Sequence, residues 1–388
     1  MHKNRSTMNM NMSSSMWVSR CSEEIVLNDE DLLTLILLRP PYRKLKSFKC
    51  VAKKWLYLIT TPQFISRLLC NFFLPPLRAS GLFIQRPPFA FSSKPCPNEV
   101  YFVPLDDPNT PSPFKTIAFA DYPFDPERIR ILGSCNGLLL CSTCILAFGI
   151  PLATYVYNPS TNQLHILPKH PPAIGVEYLS LAFDPSKSPH YKVVAYVSTS
   201  KLDYIGDLNF APVPGSTVSD GLYFNVDEGR LGIFPRPPID RKKLTTSRSS
   251  YFGESDDHLH FIGVYPNATS LSVYELKSDY SEWFIKYWID LASISKFIPE
   301  MTKYKACYVD GKTYAFAVLS LIRREKFQED SFLVLEIPGK VIRYNLVDTS
   351  FKAIWDFDVD LGVEKVDIWR FGFGTFRVWQ YIEALSCV

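Results

Sequence analysis

Four stretches of this chain repeat one design, and that repetition constrains the fold more than any other feature. They are YVYNPSTNQLHILP from Tyr155, LYFNVDEGRLGIFP from Leu222, SVYELKSDYSEWFIKYW from Ser272 and VIRYNLVDTSFKAIWDF from Val341. Each begins as a short apolar run that closes on an aromatic and a polar residue: Tyr157-Asn158, Phe224-Asn225, Tyr274-Glu275 and Tyr344-Asn345. A polar turn follows, then a second apolar run. That pattern predicts a β-hairpin each time. A further apolar strand is expected ahead of most of them, at Gly137–Cys141, His258–Val264 and Phe332–Glu336. Repeated all-β units over roughly 300 residues predict a propeller of six or seven blades, at about 45–50 residues per blade. A large β-sandwich with hairpins is the alternative. Aromatic residues at 14% and 30 prolines also favour a β-rich body.

Ahead of the repeats lies a segment of another kind. Residues 27–70 read LNDEDLLTLILLRPPYRKLKSFKCVAKKWLYLITTPQFISRLLC. Asn28 or Asp29 can cap a helix whose first turn carries Glu30 and Asp31, favourable at the positive end of the dipole. Leu32, Leu33, Ile36 and Leu37 follow at helical spacing, and Leu35 and Leu38 widen the apolar surface beyond one stripe. Pro40-Pro41 ends that helix. A second helix is predicted to carry Leu45, Phe48, Val51, Ala52 and Trp55. Thr61-Pro62 predicts the start of a third, with Phe64, Ile65, Leu68 and Leu69 as its apolar face. About 45 residues make a very small core, and such units usually need a metal, disulfides or a partner. No histidine or cysteine spacing here offers zinc, so a covering partner is implied. The expected organisation is a tail over 1–24, the helical module over 25–70, a proline-rich junction over 71–98 and the β-domain over 99–388. Within the junction Leu82-Phe83-Ile84 can already form a strand.

Bulk properties exclude several classes. With 42 basic and 39 acidic residues the net charge is +3, and neither half is strongly basic, so no nucleic-acid partner is expected. Nine cysteines, an odd number spread along the chain, do not read as a secreted disulfide framework, and cytoplasm or nucleus fits better. The span from Gly137 to Tyr157 has no charged residue and the length of a membrane helix. Gly149, Pro151 and the β-branched residues after them predict two buried strands instead, and no membrane.

Candidate chemistry is sparse. Cys141-Ser142-Thr143-Cys144 lies in a strand-like run rather than at a helix N-terminus, so a redox role is not expected. His258 and His260 fall on one face of a strand but lack an evident third metal ligand. The turn Gly133-Ser134-Cys135-Asn136-Gly137 is a hairpin signal and not a phosphate loop. Arg241-Lys242-Lys243 and Arg323-Arg324 read as solvated loop surface. Six histidines in no recognisable constellation leave no catalytic site, cofactor or metal to name.

The residues 27–70 resemble an F-box, the motif by which receptor subunits dock on the Skp-type adaptor of SCF ubiquitin ligases. The matching positions are Leu27, Leu32-Leu33, Ile36-Leu37, Pro41, Leu45, the string from Phe48 to Trp55 and Leu58-Ile59. The body resembles the F-box-associated, kelch-like interaction domain of the large plant F-box family, through GSCNGLLLC at 133–141, YNPSTNQLHILP at 157–168, LAFDPSKSPHYKVV at 181–194 and SFLVLEIPGKVIRYNL at 331–346. The chain departs from the pattern at Asn28, Pro40 and Leu35, and it is short between Thr199 and Leu222. The resemblance implies a non-catalytic receptor. Its adaptor-binding residues would be Leu27, Leu32, Leu33, Ile36, Leu37, Pro41, Leu45, Val51 and Trp55. Its partners would be the adaptor, a cullin through it, and a target protein held by the β-domain. The alternative is an adaptor-independent interaction propeller with a degenerate F-box. A propeller hydrolase or lectin-like binder would need convergent Asp, Glu or His at strand ends, which the sequence does not offer.

Overall fold

The computed structural model describes residues 29–40, 45, 47–70, 78–85, 100–113, 129–144, 151–168, 176–185, 187–188, 190–197, 221–238, 249–265, 267–303, 314–327, 329–356 and 376–384. The expected tail over 1–24, Leu27, Asn28, Pro41, Arg241-Lys242-Lys243 and most of the short stretch 199–222 lie outside them. The chain divides into two compact units: Met1–Pro76 with Phe183–Tyr191 and Leu385–Val388, and Leu77–Ala182 with Lys192–Ala384.

In the first unit, helix α1 spans Glu30–Leu37 and is capped by Asp29, whose carboxylate accepts from the backbone N–H of Asp31 and Leu32. The predicted second helix is broken. Leu45, Ser47 and Phe48 form a helical turn, and the backbone N–H of Cys50 and Val51 reach back only three residues. Ala52 is then extended, and α2 runs over Lys53–Thr60. A continuous helix would hold Val51 and Ala52 on the face of Leu45, Phe48 and Trp55. The break turns both out to solvent, while Phe48 and Trp55 still meet edge to face at 5.6 Å. Helix α3 covers Pro62–Cys70, with Thr61 Oγ1 accepting from the Phe64 N–H. Leu33, Leu37, Leu45, Leu58, Ile59, Phe64 and Leu68 close one small core.

The second unit is almost entirely antiparallel sheet. Strand β1 (Ala79–Gln85) pairs with β2 (Val100–Pro104) on one side and with the last described strand, Arg377–Ile382, on the other. It lies inside the span read from sequence as a junction, with Leu82-Phe83-Ile84 at its centre. Strands β3 (Ile129–Cys135), β4 (Leu138–Cys144), β5 (Pro151–Asn158) and β6 (Gln163–Ile166) form a four-stranded sheet in chain order. Two-stranded pairs follow, β7 (Val176–Ala182) with β8 (Lys192–Val197), and β9 (Gly221–Asn225) with β10 (Arg230–Phe234). Two more four-stranded sheets are β11 (Ser249–Ser255), β12 (His258–Val264), β13 (Ser270–Leu276), β14 (Trp283–Asp290), and β15 (Ala317–Ile322), β16 (Phe332–Ile337), β17 (Lys340–Asn345), β18 (Phe351–Asp356). The last strand is β19. All four hairpins expected from the repeats are present: β5–β6, β9–β10, β13–β14 and β17–β18. No helix among the described residues is long and apolar enough to cross a membrane. The uncharged span from 137 holds paired β4 and β5.

Cores form between neighbouring sheets. One joins β11–β14 to β15–β18, a second joins β1 and β2 to β15–β17, and a third joins β1, β2 and β19 to β3–β5. Sheets covered on both faces need strands that are apolar throughout. The run Phe332–Ile337 is buried at every position, Glu336 included.

Turn chemistry fixes the register. Asn136 and Gly137 take φ values of 44° and 90°, as a tight β3–β4 hairpin requires. A Cβ on Gly137 would also sit 2.4 Å from the Ala384 Cβ and 2.6 Å from the Ile382 carbonyl oxygen. Gly137→Ala is therefore expected to cost about 2 kcal/mol or more, since backbone strain and overpacking add. Urea unfolding checks this through a lowered midpoint at unchanged slope.

Candidate functional site

The helical module sorts its predicted binding residues into two sets. Leu33, Leu37 and Leu45 are at most 2% exposed and fill the module's own core. Leu32, Ile36 and Val51 are 41%, 45% and 60% exposed. Trp55 is half-buried against that core. Leu35, Leu56 and Tyr57 are exposed as well. On α1 the spacing explains the division: residues 33 and 37 make one face, 32 and 36 the next. An exposed apolar set on a core already filled by its neighbours has the character of a docking surface.

The β-unit carries its polar chemistry where β15 ends. Arg323 and Arg324 follow that strand and are buried, at 9% and 2% exposed, which corrects the expectation of a solvated loop. Their side chains serve different sheets. Arg323 donates to Glu275 of β13 at 2.8 Å, donates its Nε and Nη2 to Glu325, and donates its backbone N–H to Ser255 Oγ. Arg324 reaches Asp106, just past β2, at 2.6 Å, and the Ala79 carbonyl of β1 at 3.3 Å. Consecutive residues leaving a strand point to opposite faces, so one dipeptide ties three sheets together. Burial alone would raise the Asp106 carboxyl, but Arg324 and Arg78 outweigh it and hold it below the usual range. Local sequence carries no sign of this, because the partners lie 48 and 218 residues away.

The YNPST string has an equally specific task. Asn158 is fully buried. Its Oδ1 accepts from the N–H of Ser160 and Thr161, and its Nδ2 donates to the Ala384 carbonyl. Ser160 Oγ accepts from the Ala384 N–H and meets the Tyr381 hydroxyl at 3.0 Å. The β5–β6 turn thus grips β19 and the residue Ala384 that follows it. Asn225 and Asn345 cap their own turns in the same way. At the corresponding place in the third repeat stands Glu275, and it has become an ion-pair hub.

The chain is 32% identical to F-box protein At5g07610 of Arabidopsis thaliana over an alignment of 419 residues, which covers 95% of this chain and 94% of that one. No family model matches the chain. This chain belongs to the F-box proteins. The alignment spans both units, so the likeness is not confined to the helical segment.

Other candidate groups of this F-box protein do not form a reactive centre among the described residues. His258 and His260 do find a shared carboxylate, Glu275, at 3.8 and 3.1 Å. Arg323 and Lys286 occupy the same carboxylate, and a metal ion there would face both cations. No group of three or more ligating side chains suited to a metal occurs among the described residues. Cys141 is buried, which pushes its thiol up and away from the thiolate that redox chemistry requires.

His260 has a measurable consequence. Burial is the main force pulling its imidazole down to about 4, against an ordinary value of 6.5; Glu275 resists and Arg323 assists. The folded F-box protein keeps it neutral while the unfolded chain protonates it near 6.5. Stability is therefore complete above that pH and is lost as pH falls towards 4, by up to about 3 kcal/mol at 1.36 kcal/mol per pH unit. Urea midpoints at pH 7 and pH 5 read the effect, and His260→Gln should flatten this part of the profile.

Proposed function

We propose that this F-box protein is the substrate-receptor subunit of an SCF-type ubiquitin ligase. The helical module holds a Skp-type adaptor, and through it a cullin. The β-unit holds a target protein. The observation that carries this reading is the exposed trio Leu32, Ile36 and Val51 beside a core already complete without them. The six sheets among the described residues are read as blades of a β-propeller. Support comes from the pairing of β1 with β19, which brings together the first and last strands among the described residues, and from cores that lie between sheets. The chain performs no chemistry of its own. It raises the effective concentration of target lysines near a loaded conjugating enzyme that other subunits supply. Cytoplasm and nucleus are the compartments where it would act.

Co-expression with a plant Skp-type adaptor and cullin tests the reading directly. Affinity purification of the chain should retain both in near-stoichiometric amount. A chain that is folded but retains no adaptor removes the receptor role, and would favour an adaptor-independent interaction protein.

A further inference from the structure

A second arginine cluster in the β-unit sets three guanidinium groups against two carboxylates among the described residues. Arg78, just before β1, pairs with Asp106 at 3.1 Å and Glu329 at 2.7 Å. Arg324 pairs with the same two carboxylates at 2.6 and 3.2 Å. Arg343 of β17 is the third cation. Its Nη1 donates one long hydrogen bond, 3.3 Å, to the Leu105 carbonyl and lies 3.7 Å from Asp106. Its Nε and Nη2 have no acceptor among the described residues. Its guanidinium sits 3.7 Å from the Phe332 ring centroid, and that of Arg324 lies 4.9 Å from the same centroid. Asp107 and Asp330, next in sequence to Asp106 and Glu329, form no ion pair with these arginines among the described residues; Asp107 accepts from the Asn109 N–H and Asp330 from Asn345 Nδ2.

Among the described residues the three arginines share two carboxylates, three positive charges to two negative. The excess is not simply dissolved in solvent, since Arg343 is 19% exposed and Arg324 is 2%. Burial first, and then the nearby charge of Arg324, hold the Arg343 guanidinium below its usual range. Asp106 and Glu329 oppose both effects without cancelling them. The cluster nonetheless opens to water, because Arg78, Asp106 and Glu329 are 29%, 39% and 41% exposed.

We propose that Arg343, backed by Arg78 and Arg324, is a receptor site for a single anionic oxygen group, a carboxylate or a phosphate, carried by the target protein. A guanidinium with Nε and Nη2 unspent presents the planar two-donor fork that such groups match. The Phe332 ring holds that plane in place, so little orientational freedom is lost on binding. One anion removes the surplus charge. The source of the anion rests on the receptor reading above; the site itself does not.

The test uses the full chain, labelled with 15N-arginine, titrated separately with inorganic phosphate and with acetate at ionic strength held constant by chloride. The Arg343 Nε–Hε resonance should shift saturably, with a dissociation constant on the order of 1 mM. Arg343→Met should weaken anion binding about tenfold or more, read as loss of the anion-dependent rise in melting temperature. Tighter acetate assigns an acidic side chain or a chain terminus; tighter phosphate assigns a phosphorylated side chain. An Arg343 resonance that shifts with neither anion overturns the site, whatever the variant does. An anion response that survives Arg343→Met overturns it too. A chain that retains the adaptor yet shows no anion response sinks this inference alone. One that binds the anion but no adaptor sinks the receptor reading alone.

Discussion

Arg323→Met should destabilise the β-unit by about 3 kcal/mol, near the lower end of what breaking a buried ion pair costs. Glu275 is 4% exposed and Arg323 9%, so the carboxylate left behind cannot turn to bulk water. The loss stays at the lower end because Lys286 and His258 remain 3.8 Å from Glu275 and His260 remains 3.1 Å away. The variant should also be less sensitive to acid than wild type. Arg323 is among the charges that depress His260. Once it is gone, the imidazole takes a proton more readily and can stand in as the missing cation. Acidification from pH 7 to pH 5 should then cost the variant less than it costs wild type, or recover part of the loss. Adding Glu275→Gln should restore stability beyond additivity, since the stranded charge is removed with its partner. Urea unfolding of all four members of the cycle decides it. A loss below about 1 kcal/mol with no coupling to Glu275 would show that the pair does not hold these sheets together.

What was legible in the sequence follows from how far apart the interacting residues lie. The hairpins were readable because their signals are local: Tyr157-Asn158 and Tyr344-Asn345 close a strand, and Asn158, Asn225 and Asn345 cap the turns that follow within three residues. The starts of α1 and α3 were readable for the same reason, through Asp29 and Thr61. The break before α2 was not, because the spacing of Leu45, Phe48 and Trp55 suits one continuous helix equally well. Arg323-Arg324 looked like a solvated pair because basic dipeptides after a strand usually are. Their burial depends on Asp106 and Glu275, which only the packing of sheets brings near. The surplus charge at Arg343 is hidden likewise, since it is a count over five residues drawn from three separate parts of the chain. Glu275 did carry one local hint: it replaces the turn-capping asparagine of the other three repeats. A glutamate there gives up a cap, and what it gains had to come from elsewhere in the fold.

The other large effect is expected in the helical module, where two kinds of leucine should fail in different ways. The F-box resemblance implied Leu32, Ile36, Leu37 and Val51, among others, as adaptor-binding residues. The structure leaves Leu32, Ile36 and Val51 exposed and seats Leu37 in the module's core at 1% exposure. Changing the exposed three to Asp leaves every residue of the module's core cluster in place, so helicity should persist. It should still weaken adaptor retention by at least about 100-fold. Apolar side chains buried at an interface are worth about 1–2 kcal/mol each, and a charge left in an apolar contact adds a desolvation penalty. Leu37→Ala works through stability instead. Truncating a buried leucine costs about 2–5 kcal/mol, comparable with everything a core this small supplies. Adaptor binding should fall with it, but so should amide-exchange protection across α1, α2 and α3, and excess adaptor should restore both, because a partner that binds only the folded form stabilises it by mass action. The triple Asp variant should gain nothing from excess adaptor at the same concentrations. If it retains the adaptor like wild type, the docking face lies elsewhere on the module, with Leu35, Leu56 and Tyr57 the exposed residues left to form it.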